Sequence, residues 1–307
     1  MNGHKRMKSA WLPIASMVVA ACLAACLTPP RTFGDDDKPA AAEEGGDSCA
    51  ELFGLMYWTH RDEGVFRACR DGSQVVLLAS IKNVDGLVVD PQGGKIYFTI
   101  SGHPDANADK LVRANLDGSG VEELAQGLNF TGDLALDAQA KKLYISSVGD
   151  GVIMQCNLDG SQRKEWLAGL GSVDEMAFDA EARQLYWVQG VAIKRANVDD
   201  GRVEDVVTLN AAGMGIALDP ENKRLFYATR DNGTVHSVRL DVTENRSIVS
   251  GLTGADGLAY DPYSRKLYWT EPRKICQAND DGADIETLVP DKCHRFGSIV
   301  VLPPKAP

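Results

Sequence analysis

The sequence predicts an all-β chain folded as a six-bladed β-propeller closed by its C-terminal strand, which completes the N-terminal blade. Three observations carry the prediction. An aromatic strand recurs at 55–59, 96–100, 143–147, 185–189, 225–229 and 267–271; from Tyr57 through Tyr97, Tyr144, Tyr186, Phe226 and Tyr268 the spacings are 40, 47, 42, 40 and 42 residues. A period in the low forties filled by short alternating strands is the mark of propeller blades. An apolar strand ending in Asp precedes five of the six aromatic strands, as GLVVD (86–90), DLALD (133–137), EMAFD (175–179), GIALD (215–219) and GLAYD (257–261). The unit at Leu55 lacks that strand, and a spare one, 297–302, waits at the other end of the chain. Docked beside the Tyr57 strand, it would close the ring and leave no open sheet edge between blades.

The N-terminus precedes the fold. Met1 to Lys8 is basic, Trp11 to Ala25 is apolar, and Leu23-Ala24-Ala25-Cys26 resembles the bacterial lipobox, with Val19-Ala20-Ala21-Cys22 as a weaker alternative. About 15 apolar residues suit a secretory signal better than a membrane span. The expected organisation is a lipoprotein signal peptide over 1–25, a lipid-anchored linker over 26–48 with Cys26 acylated, and the propeller over 49–307. Acyl chains bury roughly 0.8 kcal/mol per methylene, so more than one holds a protein stably on a bilayer. Leu27 after the cysteine points to the outer membrane. Residues 28–48 are Pro, Asp, Ala, Glu and Gly with almost nothing to bury, the composition of a flexible tether.

Within the repeat, the stretch 256–282 shows the full grammar. A small apolar strand follows Asp256-Gly257, a turn falls at Asp261-Pro262, and an aromatic strand runs through Leu267–Thr270. A third strand starts near Ile275 and ends in the turn Asp281-Gly282. Third strands recur as LVRAN (111–115), VIMQCN (152–157) and IKRAN (193–197), and fourth strands follow, as over 75–79 and 121–125. Asp71-Gly72, Asp117-Gly118, Asp159-Gly160 and Asp281-Gly282 supply the positive φ of hairpin turns, and Asp90-Pro91, Asp219-Pro220 and Asp261-Pro262 turn the chain between first and second strands.

Tyr57-Trp58-Thr59, Tyr268-Trp269-Thr270 and the Ala-Asn-Leu-Asp-Gly-Ser runs resemble the low-density lipoprotein receptor class B, or YWTD, propeller, over residues 49–303. The motif's Asp is replaced by His60, Ile100, Ser147, Gln189, Thr229 and Glu271. The resemblance implies the fold and a binding role, while the hydrogen-bond network made by that Asp must be built otherwise.

The composition, 44% hydrophobic and 24% charged over 307 residues, is enough for a large core. Net charge is -11; beyond residue 26 there are 29 basic against 43 acidic residues and no clustered Lys/Arg stripe, so no nucleic-acid partner is expected. Five cysteines follow the lipid site. Strand direction places Cys49 and Cys69 near the lower face of the closing blade, and Cys276 and Cys293 near the upper face, where first and third strands begin. Disulfides Cys49–Cys69 and Cys276–Cys293 are expected, with Cys156 a buried free thiol.

The upper face is the expected binding surface, because the segment 101–110 is the longest departure from otherwise terse turns. His60, Asp85, His103, Asp105, Asp133, Asp174, Asp256 and His294 are its candidate residues. Asp85, Asp133, Asp174-Glu175 and Asp256 rim the channel, with Met214 and Phe296 at the two remaining positions. The three histidines lack a short-range ligand motif, so no metal site and no cofactor are assigned. There is no GxSxG, HExxH or phosphate-binding glycine loop. The reading is an envelope binding module, monomeric and held to the membrane by its lipid alone. Its expected partner is an envelope or extracellular protein, peptide or glycan. A second reading is a propeller enzyme of lactonase or sugar-dehydrogenase type with a channel-bound metal or quinone, on analogy of fold.

Overall fold

The computed structural model describes residues 49–50, 54–102, 105, 108–290 and 296–304, all within a unit running from Ala42 to Pro307. The expected signal, Cys26, the linker, His103, Cys293 and His294 lie outside the described residues.

Among the described residues, twenty-four strands form six four-stranded antiparallel sheets. Blade 1 holds β1 (Leu55–His60), β2 (Gly64–Cys69), β3 (Val76–Ala79) and, on its inner side, β24 (Phe296–Leu302). Blade 2 is β4 (Val84–Asp90), β5 (Lys95–Ile100), β6 (Asp109–Asn115) and β7 (Glu122–Leu128); blade 3 is β8 (Thr131–Asp137), β9 (Lys142–Ser147), β10 (Val152–Asn157) and β11 (Lys164–Leu167). Blade 4 is β12 (Met176–Asp179), β13 (Gln184–Gln189), β14 (Ala192–Asn197) and β15 (Val203–Thr208). Blade 5 is β16 (Gly213–Asp219), β17 (Arg224–Thr229), β18 (Thr234–Arg239) and β19 (Arg246–Val249). Blade 6 is β20 (Leu258–Asp261), β21 (Lys266–Glu271), β22 (Lys274–Asn279) and β23 (Glu286–Pro290). The spare strand docks as the sequence predicts: β24 pairs antiparallel with β1, Leu55 opposite Leu302 and His60 opposite Phe296.

The aromatic strands are buried on both faces, because each blade is covered by two neighbours. Alternation assigns each side chain its neighbour. Tyr57 packs with blade 2, while Met56 and Trp58 on the same strand pack with Tyr268 and Ile275 of blade 6. Tyr97, Tyr144 and Tyr186 likewise face blades 3, 4 and 5. Six apolar clusters result, one at each blade interface.

Near the axis the inner strands approach too closely for side chains, and hydroxyls one residue after the aromatic pair stitch them together. Thr59 Oγ1 donates to the Asp85 carbonyl at 2.7 Å. Thr99 Oγ1 accepts from Gly86 N at 2.9 Å and donates to the Gly132 carbonyl in the next blade at 3.1 Å. Thr270 Oγ1 accepts from Gly257 N at 2.8 Å and donates to the Gly297 carbonyl at 2.9 Å, closing the ring onto β24. A Cβ on Gly257 would sit 2.6 Å from that same Gly297 oxygen, so this contact requires glycine. The Thr of the repeated motif is therefore the ring's fastening in blades 1, 2 and 6; blade 3 has Ser146 there, bonded within its own blade to Asp133 N, and blades 4 and 5 have Val188 and Ala228.

The bonds of the missing motif Asp are rebuilt in blade 2 from another position, Asp109, and in blade 6 by Glu271 at the motif position itself. Buried Asp109 accepts from Thr131 N at 2.6 Å, Thr131 Oγ1 at 3.0 Å and Gly102 N at 2.7 Å. Glu271 accepts from Thr253 N at 3.1 Å, Thr253 Oγ1 at 2.8 Å and Trp269 Nε1 at 3.1 Å. Burial opposes its charge, but these bonds and Lys274 hold its pKa below the ordinary value. On the lower side, ion pairs clamp neighbouring blades: Arg70 to Asp261, Arg183 to Asp137 and Arg224 to Asp280.

Cys49 is disulfide-bonded to Cys69, closing a loop with a sequence separation of 20 that contains all of β1. Reduction is expected to cost about 3 kcal/mol by loop entropy, read as a lower melting midpoint in dithiothreitol and lost in a Cys49→Ser/Cys69→Ser variant. The second expected bridge is corrected. Cys276 is a buried free thiol, 3.8 Å from Glu271 Oε1 and 3.7 Å from Thr287 Oγ1. Alternation explains it: Ile275 faces blade 1, so Cys276 points the other way, into the blade 5–6 core with Val235 and Val249. Cys156 is also a buried free thiol, its pKa pushed up to about 11 by burial.

Candidate functional site

The upper mouth of the axial channel gathers charged side chains from five blades. They arrive by two routes: the acids on residues entering a first strand, and the arginines from the turns between second and third strands. Asp85 enters on β4 and meets Arg61 from the β1–β2 turn, whose Nη2 donates to both carboxylate oxygens at 2.9 and 2.8 Å. Burial raises the Asp85 pKa, and Arg61 opposes the rise. Asp256 stands before β20 on an exposed residue. Desolvation in the mouth raises its pKa, Arg61 lowers it, and the Asp85 charge raises it again. Asp174 is raised by burial and moderated by Arg230, whose Nε lies 3.1 Å from Met214 Sδ. Two arginines thus sit among the acids, a detail the carboxylate spacing alone did not show.

Below this rim, two acids meet one hydroxyl. Buried Asp133 accepts from Met176 N of the next blade at 2.8 Å, and its other oxygen lies 3.1 Å from Ser298 Oγ. Ser298 Oγ also lies 3.2 Å from Glu175 Oε1. A hydroxyl has one proton to donate, so it cannot donate to both carboxylates; the arrangement is satisfied when one acid is protonated and donates to Ser298. The electrostatics agree. Burial raises Asp133 to about 7, and burial followed by the Asp133 charge raises Glu175 well above its ordinary value. Ser298 comes from β24, so the strand that closes the ring also ties together the acids of blades 3 and 4.

The candidate residues therefore separate. Asp85, Asp174 and Asp256 stand at the mouth with Arg61 and Arg230, and Asp133 lies beneath them. Asp105 is exposed in the segment between β5 and β6. His60 is not a surface residue: it is 1% exposed, edge-on to Phe296 with centroids 5.4 Å apart and to Phe66 at 6.3 Å. It ends a strand buried on both sides, and alternation carries it into the blade 6–1 core. Among the described residues no group of three His, Cys, Asp or Glu side chains is placed to hold a metal ion.

No family model matches the chain. It is 30% identical over 227 residues to the vitellogenin receptor Yl of Drosophila melanogaster, an alignment covering 71% of this chain and 10% of the receptor. The chain thus spans a small part of that relative's length. A chain from a nidogen/laminin complex superposes with a TM-score of 0.72 at 16% identity, covering 80% of this chain and 97% of that one. TolB from Acinetobacter baumannii superposes at 0.66 with 14% identity, covering 81% and 66%. The recurrent Tyr-Trp-Thr strands, the hydroxyl stitching they provide and the receptor similarity agree, and the domain is a six-bladed β-propeller of the YWTD, or low-density lipoprotein receptor class B, family.

Proposed function

We propose that the chain is a lipid-anchored envelope module whose propeller captures a protein, peptide or glycan partner on its upper face. One observation carries the reading: the channel mouth presents alternating charges, Asp85, Arg61, Asp256, Arg230 and Asp174, on a ring rigid enough to hold them in place. Such a pattern favours a partner of complementary charge and penalises others. The relatives support a binding role, one being named a receptor and another belonging to a nidogen/laminin complex. Cys26 and the tether over 26–48 would set the module off the outer membrane.

The test is capture from the native envelope by the full chain, quantified against two variants. Asp256→Asn combined with Arg230→Gln is expected to lower recovery of the bound species about tenfold or more. Asp281→Asn, on the lower turn, is expected to leave it unchanged. Equal loss in both variants, or none in the first, removes the upper face from the proposal.

A further inference from the structure

Blade 5 carries a feature that its neighbours lack. In blades 2 and 4 a third-strand arginine faces a fourth-strand glutamate, Arg113 opposite Glu122 and Arg195 opposite Glu204, and each pair is joined at 2.6 and 3.0 Å. Blade 6 keeps the acid, Glu286, opposite Gln277. In blade 5 the order is inverted: the fourth strand supplies Arg246, and Ser237 faces it. The next position follows suit, with Ser247 where blades 2, 3 and 4 have Glu123, Glu165 and Asp205. On a chain of net charge -11, this outer edge offers a guanidinium with no acid opposite.

The same edge borders a cleft of about 220 Å³ between blades 4 and 5. Its floor is an aromatic pair, His236 stacked flat on Tyr227 with centroids 4.8 Å apart and planes 2° from parallel. Both rings are fixed: Tyr227 Oη donates to Asn245 Oδ1 at 3.0 Å, and His236 Nε2 lies 3.0 Å from Thr234 Oγ1. Burial lowers the His236 pKa, so the ring is neutral at pH 7. The Asn245 side chain bonds both Tyr227 and His236, and Asn210 and Thr208 line the opposite wall. The cavity is smaller than the usual 300–1,000 Å³ of drug-sized sites and suits one small ring.

We infer that this cleft binds a single hexuronic acid unit, free or at the end of an acidic glycan. The neutral imidazole face stacks on the sugar ring, Arg246 takes the carboxylate, and Asn210 and Asn245 take hydroxyls. Arginine matches a carboxylate by paired donors, and the amides match hydroxyls that both give and accept. The site lies on the outer flank rather than at the channel mouth, and the inference does not rest on the function proposed above.

Titration of the intact protein with glucuronate, glucose and succinate tests it, followed by calorimetry and by the His236 imidazole resonances. Saturable glucuronate binding that shifts those resonances, at least about tenfold tighter than glucose or succinate, is the expected result. Arg246→Gln should remove the preference over glucose with the melting midpoint unchanged, and His236→Ala should weaken both sugars. No saturable glucuronate binding, succinate binding as tight as glucuronate, or a preference that survives Arg246→Gln overturns the inference. Saturation that leaves the His236 resonances unmoved places the ligand elsewhere and overturns it equally.

Discussion

Truncating the chain after Cys293 is expected to abolish cooperative unfolding and leave an expanded, protease-sensitive species. The truncation removes β24, and with it Phe296 and Ile299, each 5% exposed and packed on Met56, Trp58 and Tyr268. Deleting one such side chain costs about 2–5 kcal/mol, against a whole-domain stability of roughly 5–15 kcal/mol. The loss also frees the inner edge of β1 and the Thr270 hydroxyl, opening the blade 6–1 seam at its inner side. Circular dichroism melts and size-exclusion chromatography check it. A truncated chain that stays compact with an unchanged midpoint contradicts the architecture. A milder probe of the same seam is Gly257→Val, which should lower the midpoint without expanding the chain at low temperature.

Stability should fall as pH rises from about 4 through 7, and Glu175→Gln should remove much of that fall. The sign follows from linkage. Asp133 has a folded pKa raised from 3.8 to about 7, so its contribution is fully present below the unfolded value and is lost as pH climbs through the folded one. The raise corresponds to at most about 4 kcal/mol, and Asp133 shares it with Glu175. Glutamine at 175 cannot ionise, can donate to Ser298, and removes the like charge. The variant's midpoint is therefore expected to exceed the native one by several degrees at pH 8 and to converge with it near pH 4. Equal differences at both pH values would mean that the two acids do not share a proton.

Much of this architecture is legible in the chain. The low-forties period, the Asp-Gly turns and the spare strand at 297–302 suffice to count the blades and to place the seam, because each depends on local pattern repeated many times. The Cys49–Cys69 pairing is legible because both residues belong to one hairpin's end. Cys276 is not, since choosing its neighbour needs the side of the sheet it faces, and a shift of one residue reverses that side. His60 misleads for the same reason: a terminal strand position reads as loop, yet packing on both faces buries it. The acids at the mouth are visible in the first-strand repeat, but Arg61 and Arg230 come from turns with no repeat signature. The bridging by Ser298 joins residues 165 and 123 positions apart. Only closure of the ring brings them within reach.

The position of the disulfide has a mechanical consequence. Residues before Cys49 connect to the fold through a bond that ends on Cys69, beyond both β1 and most of β2. A pull on the N-terminal side is delivered to the far end of β2 and bypasses the strand at the seam. Once the bond is reduced, the same pull runs straight into β1, the strand paired with β24.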